Sequence, residues 1–144
     1  MSVKGKVILV TGGGQGIGRG IALRLARDGA NLALVDIKPD TLEAVRQEIE
    51  ALDVKATTFV ADVSQRDNVY AAIDHAEREL GGFDVIVNNA GIAQVKPLSE
   101  VRAEDLERIF RINVDGVVCQ SALNGDLRSA RKRDPSCKAF RRGS

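Results

Sequence analysis

The chain has 144 residues, 44% hydrophobic, 28% charged and 3% aromatic, the composition of a single globular domain, and its formal net charge of +1 conceals a basic end: residues 124–144 carry seven Lys/Arg against two Asp/Glu, residues 1–123 carry 14 against 18. No apolar run approaches the ~20 residues a membrane span needs, and Met1-Ser2-Val3-Lys4-Gly5 does not read as a signal peptide. Two cysteines, Cys119 and Cys137, make neither a metal site nor a disulfide framework, so no metal is expected and a reducing, cytoplasmic setting is.

Residues 6–10 read as a buried parallel strand, with Val7-Ile8-Leu9-Val10 as its short continuous apolar run. Thr11-Gly12-Gly13-Gly14-Gln15-Gly16-Ile17-Gly18 follows at once and opens an amphipathic segment. Strand, glycine-rich turn and helix are the context in which backbone N–H groups at a helix N-terminus cradle phosphate. The strict G-x-G-x-x-G spacing is not met; the usable pattern is Gly12-x-x-x-Gly16-x-Gly18. Ile17, Ile21 and Leu25 are expected to form the helix's core stripe, and Asp28-Gly29 to end it.

Residues 31–36 make a second strand that closes on Asp36, 18 residues beyond Gly18. The dinucleotide fingerprint places an acid about there, on the adenosine ribose. Its carboxylate would accept from ribose hydroxyls and repel a 2′-phosphate. Gln15 and Ile37 offer no Arg or Lys to such a phosphate, so NAD is expected over NADP. Asp40, with Glu43 three residues on, is the expected cap of the next helix, whose core stripe is Leu42, Val45, Ile49 and Leu52. Residues 55–61 are the third strand, ending in Asp62-Val63. Ser64 would then cap a helix with Val69, Ile73, Ala76 and Leu80 inward and His75 at its solvated edge. Gly81-Gly82 ends it before a fourth strand at residues 83–88. Repeated β-α units imply an α/β fold, a Rossmann-like doubly wound parallel sheet.

At Asn88-Asn89-Ala90-Gly91 a resemblance becomes specific. With Thr11-Gly12-x-x-x-Gly16-Ile17-Gly18, Asp36, Asp62-Val63 and Asn113, in that order and spacing, the chain resembles the short-chain dehydrogenase/reductase family. Residues 81–93 and Arg111-Ile112-Asn113-Val114 are further similar to the acetoin (diacetyl) reductases, or 2,3-butanediol dehydrogenases. The resemblance implies the first four strands in the order 3-2-1-4. It implies NAD(H) as cofactor, with Gly12, Gln15, Gly16, Ile17 and Gly18 holding the pyrophosphate. Asp62 would bond the adenine amino group with Val63 beside the ring, and Asn89, Ala90 and Gly91 would border the nicotinamide ribose. Asn113 matches the asparagine of the family's Asn-Ser-Tyr-Lys tetrad, which helps hold a proton-relay water. A small carbonyl or alcohol substrate and a homotetramer are expected of intact relatives, with neither nucleic acid nor membrane as partner.

The resemblance runs to about residue 118, giving an expected dinucleotide-binding portion at 1–118 and a basic, disordered segment foreign to the family at 119–144. No serine follows a strand that would aim it, and no Tyr-x-x-x-Lys occurs: the one tyrosine, Tyr70, has Asp74 four residues on. A truncated, catalytically incompetent reductase is therefore expected. A non-catalytic dinucleotide-binding module or sensor would use the same glycine loop and Asp36 and remains the alternative. The helix face around Ile109, Ile112 and Val117 is expected to be partly bare.

Overall fold

A computed structural model of the chain describes residues 2–124. The apolar run after Lys6 becomes β1 (Val7–Thr11), its residues from Ile8 on buried on both faces because side chains alternate across a strand and helices cover both sides. β1 lies between β2 (Asn31–Asp36) and β4 (Val85–Val87), and β3 (Ala56–Val60) flanks β2. All pairings are parallel and the strand order is β3-β2-β1-β4, as expected. Val10 stands in register with Leu34 on one side and Val87 on the other. The chain therefore leaves β1 toward β2 and returns to its opposite edge at β4, which opens a crevice at the carboxyl ends of the strands.

Two cores follow from the alternation. On one face Ile8, Val10, Leu32 and Leu34 pack against α1 (Gly16–Arg27) and α2 (Pro39–Glu50) through Ala22, Ala26, Leu42, Val45 and Ile49. On the other, Leu9, Ala33 and Val35 meet Val69, Ala72, Ile73 and Ala76 of α3 (Arg66–Leu80). Beyond β4 come a single 3₁₀ turn, Leu98–Glu100, then α4 (Ala103–Phe110) and α5 (Gly116–Asn124), which a π-helical stretch, Arg111–Asp115, joins without a break.

Several local expectations shift. The fully buried residues of α1 are Gly18, Ala22 and Ala26; of the expected stripe, Leu25 packs partly buried against that core, Ile21 is half-buried and Ile17 is 77% exposed. The helix lies so close to β1 that only small side chains fit between them: a Cβ on Gly18 would meet the Gly12 carbonyl oxygen at 2.0 Å. α2 begins one residue before Asp40, with Pro39 at its first position, where a fixed φ and a missing N–H cost nothing, and Asp40 sits in the first turn. α3 is preceded by Gln65 rather than Ser64, because Asp62 Oδ1 takes the Ser64 N–H (2.9 Å) and holds Ser64 in the turn before the helix. His75 is half-buried rather than solvated: Nε2 is 2.8 Å from Thr57 Oγ1 and the ring packs on Phe59. On the α4–α5 rod, Ile112 joins the second core, and the bare stripe is Leu106, Phe110, Val114 and Val118, each four residues from the next. Of the segment expected to be disordered at 119–144, residues 119–124 belong to α5, and those from 125 onward lie outside the described residues.

The shifted register of α1 gives a direct comparison. Ile49→Ala, at a fully buried position, should lower stability by roughly 2–5 kcal/mol through lost burial and a residual cavity. Ile17→Ala should stay within about 0.5 kcal/mol of the parent. Urea unfolding of the two variants checks both.

Candidate functional site

Thr11, the last residue of β1, is buried and organises the crevice. Its Oγ1 accepts from the N–H groups of Asn89 (3.2 Å) and Ala90 (3.1 Å) and donates to the Val87 carbonyl (3.4 Å). Asn89 answers from the other side, its Nδ2 donating to the carbonyls of Thr11 (3.0 Å) and Gly12 (3.3 Å). The ends of β1 and β4 are thus stitched together where the glycine loop departs. Gly12 takes φ +66° at that departure, and a Cβ there would lie 2.9 Å from Asn89 Nδ2, so the turn and the asparagine fit only around a glycine.

The loop delivers the N-terminus of α1 to the crevice. Gln15 precedes the helix and no side chain caps it, so its first N–H groups are left as donors beside the exposed backbone of Gly16. A Cβ on Gly16 would meet nothing within 4 Å. An uncapped helix terminus behind bare backbone suits an anionic group such as a pyrophosphate, through aligned N–H donors and the positive end of the helix dipole.

Asp36 ends β2 on the adjoining wall. Oδ2 accepts the Gly14 N–H (3.0 Å), and Oδ1 accepts those of Ile37 (2.7 Å) and Lys38 (3.3 Å). A carboxylate offers about four acceptor sites, so roughly one remains toward the crevice. Further along, Ala61, Asp62 and Val63 line the wall after β3. Asn113 stands on the π-helical stretch, where its amide grips one peptide unit: Oδ1 accepts the Ile92 N–H and Nδ2 donates to the Ile92 carbonyl, both at 2.9 Å. Such π-bulges gather at functional positions because they re-aim a side chain without ending the helix.

The crevice measures about 740 Å³, within the range of small-molecule and cofactor sites. Of the residues expected at the site, Gly12, Gln15, Gly16, Ile17, Asp36, Asp62, Val63, Asn89, Ala90 and Gly91 line it. Gly18 lies beneath the loop against the Gly12 carbonyl, and Asn113 sits behind Gly91 and Ile92 rather than on the wall. Sequence reasoning missed Lys38 on one rim and Glu104, Glu107, Arg108 and Arg111 on the other. The latter four share one helix face at spacings of three and four, a signal present in the sequence but typical of any solvated helix. Tyr70 lies on α3, its hydroxyl accepting from Arg66 (2.9 Å), and does not line the crevice. Among the described residues no group of three His, Cys, Asp or Glu converges to hold a metal, and no helix is long and apolar enough to cross a membrane.

Asp105 fastens the segment leaving the crevice to the start of α4. Its carboxylate bonds Lys96 Nζ, takes the Arg102 N–H (2.8 Å) and accepts from Gln94 Nε2 (3.1 Å). Lys96, then the Arg102 N–H and Gln94, hold the carboxyl down at about 2. Because the folded value lies below the ordinary one near 3.8, this tether is fully present above that value and lost as pH falls through about 2. A carboxyl NMR titration should place the Asp105 midpoint well under ~4 and show it rising in Lys96→Met; an ordinary midpoint in the parent chain would disprove the tether.

Comparison with known proteins bears on what this crevice is. The family described as short chain dehydrogenase matches residues 6–127. An L-2,3-butanediol dehydrogenase of Corynebacterium glutamicum is 52% identical over 114 residues, 78% of this chain and 44% of that protein. A diacetyl reductase [(S)-acetoin forming] of Staphylococcus epidermidis is 37% identical over 129 residues, covering 88% of this chain and 50% of the relative. Among solved structures, NAD+-bound xylitol dehydrogenase superposes with a TM-score of 0.82 at 33% identity, over 88% of this chain and 49% of that one. The chain spans about half the length of the relatives it matches.

Proposed function

Since the chain belongs to the short-chain dehydrogenase family, we propose that residues 1–118 are the NAD-binding portion of an oxidoreductase acting on a small carbonyl or alcohol. The diacetyl, acetoin and 2,3-butanediol series is the substrate class, by analogy with the relatives above. Asp36 carries the cofactor reading: a carboxylate at the end of β2, joined through the Gly14 N–H to the loop that would hold the pyrophosphate.

The roles follow from position in the crevice. The uncapped terminus of α1, with Gly12, Gln15, Gly16 and Ile17, would bind the pyrophosphate, while Gly18 lets the helix approach closely enough to present it. Asp36 would use its remaining acceptor site on the adenosine ribose. Asp62 and Val63 would border the adenine, and Asn89, Ala90 and Gly91 the nicotinamide ribose. Asn113, by gripping Ile92, would keep the Gly91-Ile92 wall at a fixed distance from the glycine loop. Bound NAD(H) would supply hydride transfer. The proton that must accompany reduction of a carbonyl needs a positioned donor, which contributes typically 10²–10⁴-fold. No side chain of this sequence matches the family's serine, tyrosine or lysine.

Calorimetric titration tests the cofactor choice. NAD(H) should bind at least about tenfold more tightly than NADP(H), on the order of 1.4 kcal/mol, and Asp36→Ala should erase the difference. Tighter NADP(H) binding by the parent chain would overturn the role of Asp36.

Turnover tests the catalytic reading independently. The purified 144-residue chain should bind cofactor yet oxidise no NADH above blank with diacetyl or acetoin. Sustained turnover through repeated purification would mean that another proton donor operates.

A further inference from the structure

Val63, proposed above to border the adenine, has a neighbour that those roles leave unused. Gly116, at the start of α5, is pressed against Val63: a Cβ there would meet the Val63 carbonyl oxygen at 3.1 Å and Cγ2 at 3.5 Å. The Gly116 N–H donates to the carbonyl of Arg111, five residues back, and so closes the π-helical turn. Arg111 therefore stands one turn along the rod from the Val63 contact, and it lines the crevice. With one residue more in this turn than an α-helix has, Ile112 packs into the second core and Arg111 beside it borders open space.

The guanidinium is not committed elsewhere. Its carboxylate neighbour among the described residues is Glu107, at 3.8 Å with both side chains exposed, a pairing that contributes little in water. Arg19 and Arg46, by contrast, are held on carboxylates at 2.5 and 2.6 Å. Ile37 lines the same crevice from the end of β2 and keeps an apolar side chain exposed there. Apolar side chains at Ile37 and Val63, together with a planar, weakly hydrated cation, suit a flat heteroaromatic ring. Arg stacks on such a face, whereas the ammonium of Lys is a compact, strongly hydrated charge.

We propose that Arg111 is an adenine-binding residue, its guanidinium stacking on the base that Val63 borders. The inference rests on the dinucleotide reading of the crevice and adds to it a contact from α4–α5 to the adenosine half. Arg108 also lines the crevice but lies three residues further from Gly116, which makes it the control.

Calorimetric titration of the full chain with NAD+ and with ADP-ribose tests the proposal, using the parent, Arg111→Ala, Arg111→Lys and Arg108→Ala. Arg111→Ala should weaken both ligands alike, by about threefold or more, the scale of one cation–π contact. Arg111→Lys should recover little of that loss, and Arg108→Ala should change either affinity little. In the parent, the Arg111 Nε–H resonance should move upfield as ADP-ribose saturates the chain, the ring-current signature of a group over an aromatic face. Unchanged affinity in Arg111→Ala, or no upfield movement in the saturated complex, would overturn the stack. Full recovery by lysine would overturn it too, because charge alone would then explain the effect, and so would a loss confined to NAD+, which would place Arg111 on the nicotinamide half. Each of these results leaves dinucleotide binding as proposed. Failure of the folded parent to bind either ligand would overturn the dinucleotide reading itself, and this inference with it.

Discussion

The crevice depends on the stitch between Thr11 and Asn89. β1 and β4 are parallel neighbours whose pairing ends at Val10 and Val87, and beyond that point nothing in the ladder holds their continuations together. One hydroxyl and one carboxamide do so, making five part-buried hydrogen bonds around the buried Thr11. Each such bond contributes on the order of 1 kcal/mol net, but a lost partner would leave a buried donor or acceptor unsatisfied at about 1–3 kcal/mol. The asymmetry fixes the geometry more firmly than the mean energy suggests. Two walls of the crevice, the glycine loop and the Asn89-Ala90-Gly91 segment, are consequently one rigid unit.

Close approach of α1 is the second constraint, and it explains why the loop needs its glycines where they stand. The helix presents Gly18, Ala22 and Ala26 to the sheet and leaves Ile17 in solvent. Small residues bury less apolar surface than the expected stripe would, about 25 cal/mol for each Å² forgone. In exchange the terminus of α1 comes down against the Gly12 carbonyl, directly behind the crevice. Placement of the uncapped helix terminus at the crevice is obtained at the expense of core area. The deficit is made up across the sheet face by Leu42, Val45 and Ile49 of α2, all fully buried.

Strand identity and the glycine loop were legible because short continuous apolar runs and the strand–turn–helix context leave few alternatives, whereas the sheet order was what the family resemblance implied. Asp36 was legible from its spacing to the glycine loop, and Asp62-Val63 and Asn89-Ala90-Gly91 through the family resemblance; all of them line the one crevice. What was not legible is orientation about a helix axis where packing runs on small side chains. Large apolar residues pointed to Ile17, Ile21 and Leu25, of which Leu25 does pack against the core, while the tightest contacts are made one position on, by Gly18, Ala22 and Ala26. The same displacement recurs on the α4–α5 rod: Ile109, Ile112 and Val117 read as the bare face, yet the π-helical stretch adds a residue to the turn, Ile112 packs inward, and Leu106, Phe110, Val114 and Val118 face out. His75 was misjudged because its partner, Thr57, lies on β3 and only tertiary structure brings them together. Lys38 escaped notice because attention to Gln15 and Ile37 assumed which backbone positions face the ribose, whereas a four-carbon stem reaches across from the next residue.

The aspartates show how far a local motif can be trusted as a ligand. Asp36, Asp62, Asp84 and Asp105 each spend oxygen on backbone N–H groups, at Gly14 and Ile37, Ser64, Val7 and Arg102 respectively. Two of them do nothing else but hold structure: Asp84 pins the start of β4 to β1 through the Val7 N–H and Lys6, which keep its carboxyl below the usual range, and Asp105 fastens a loop to α4. Sequence cannot separate such braces from binding groups, since both sit at element ends and both favour the same residue type. The separating variable is whether a lone pair remains and where it points. Asp36 and Asp62 line the crevice and Asp84 and Asp105 do not, so only the first pair can present an acceptor to a bound molecule. For Asp36 the two duties are linked. The N–H bonds that pin its carboxylate also hold the acceptor site left over, so that in the reading proposed above a ribose hydroxyl would meet an acceptor that needs little reorganisation.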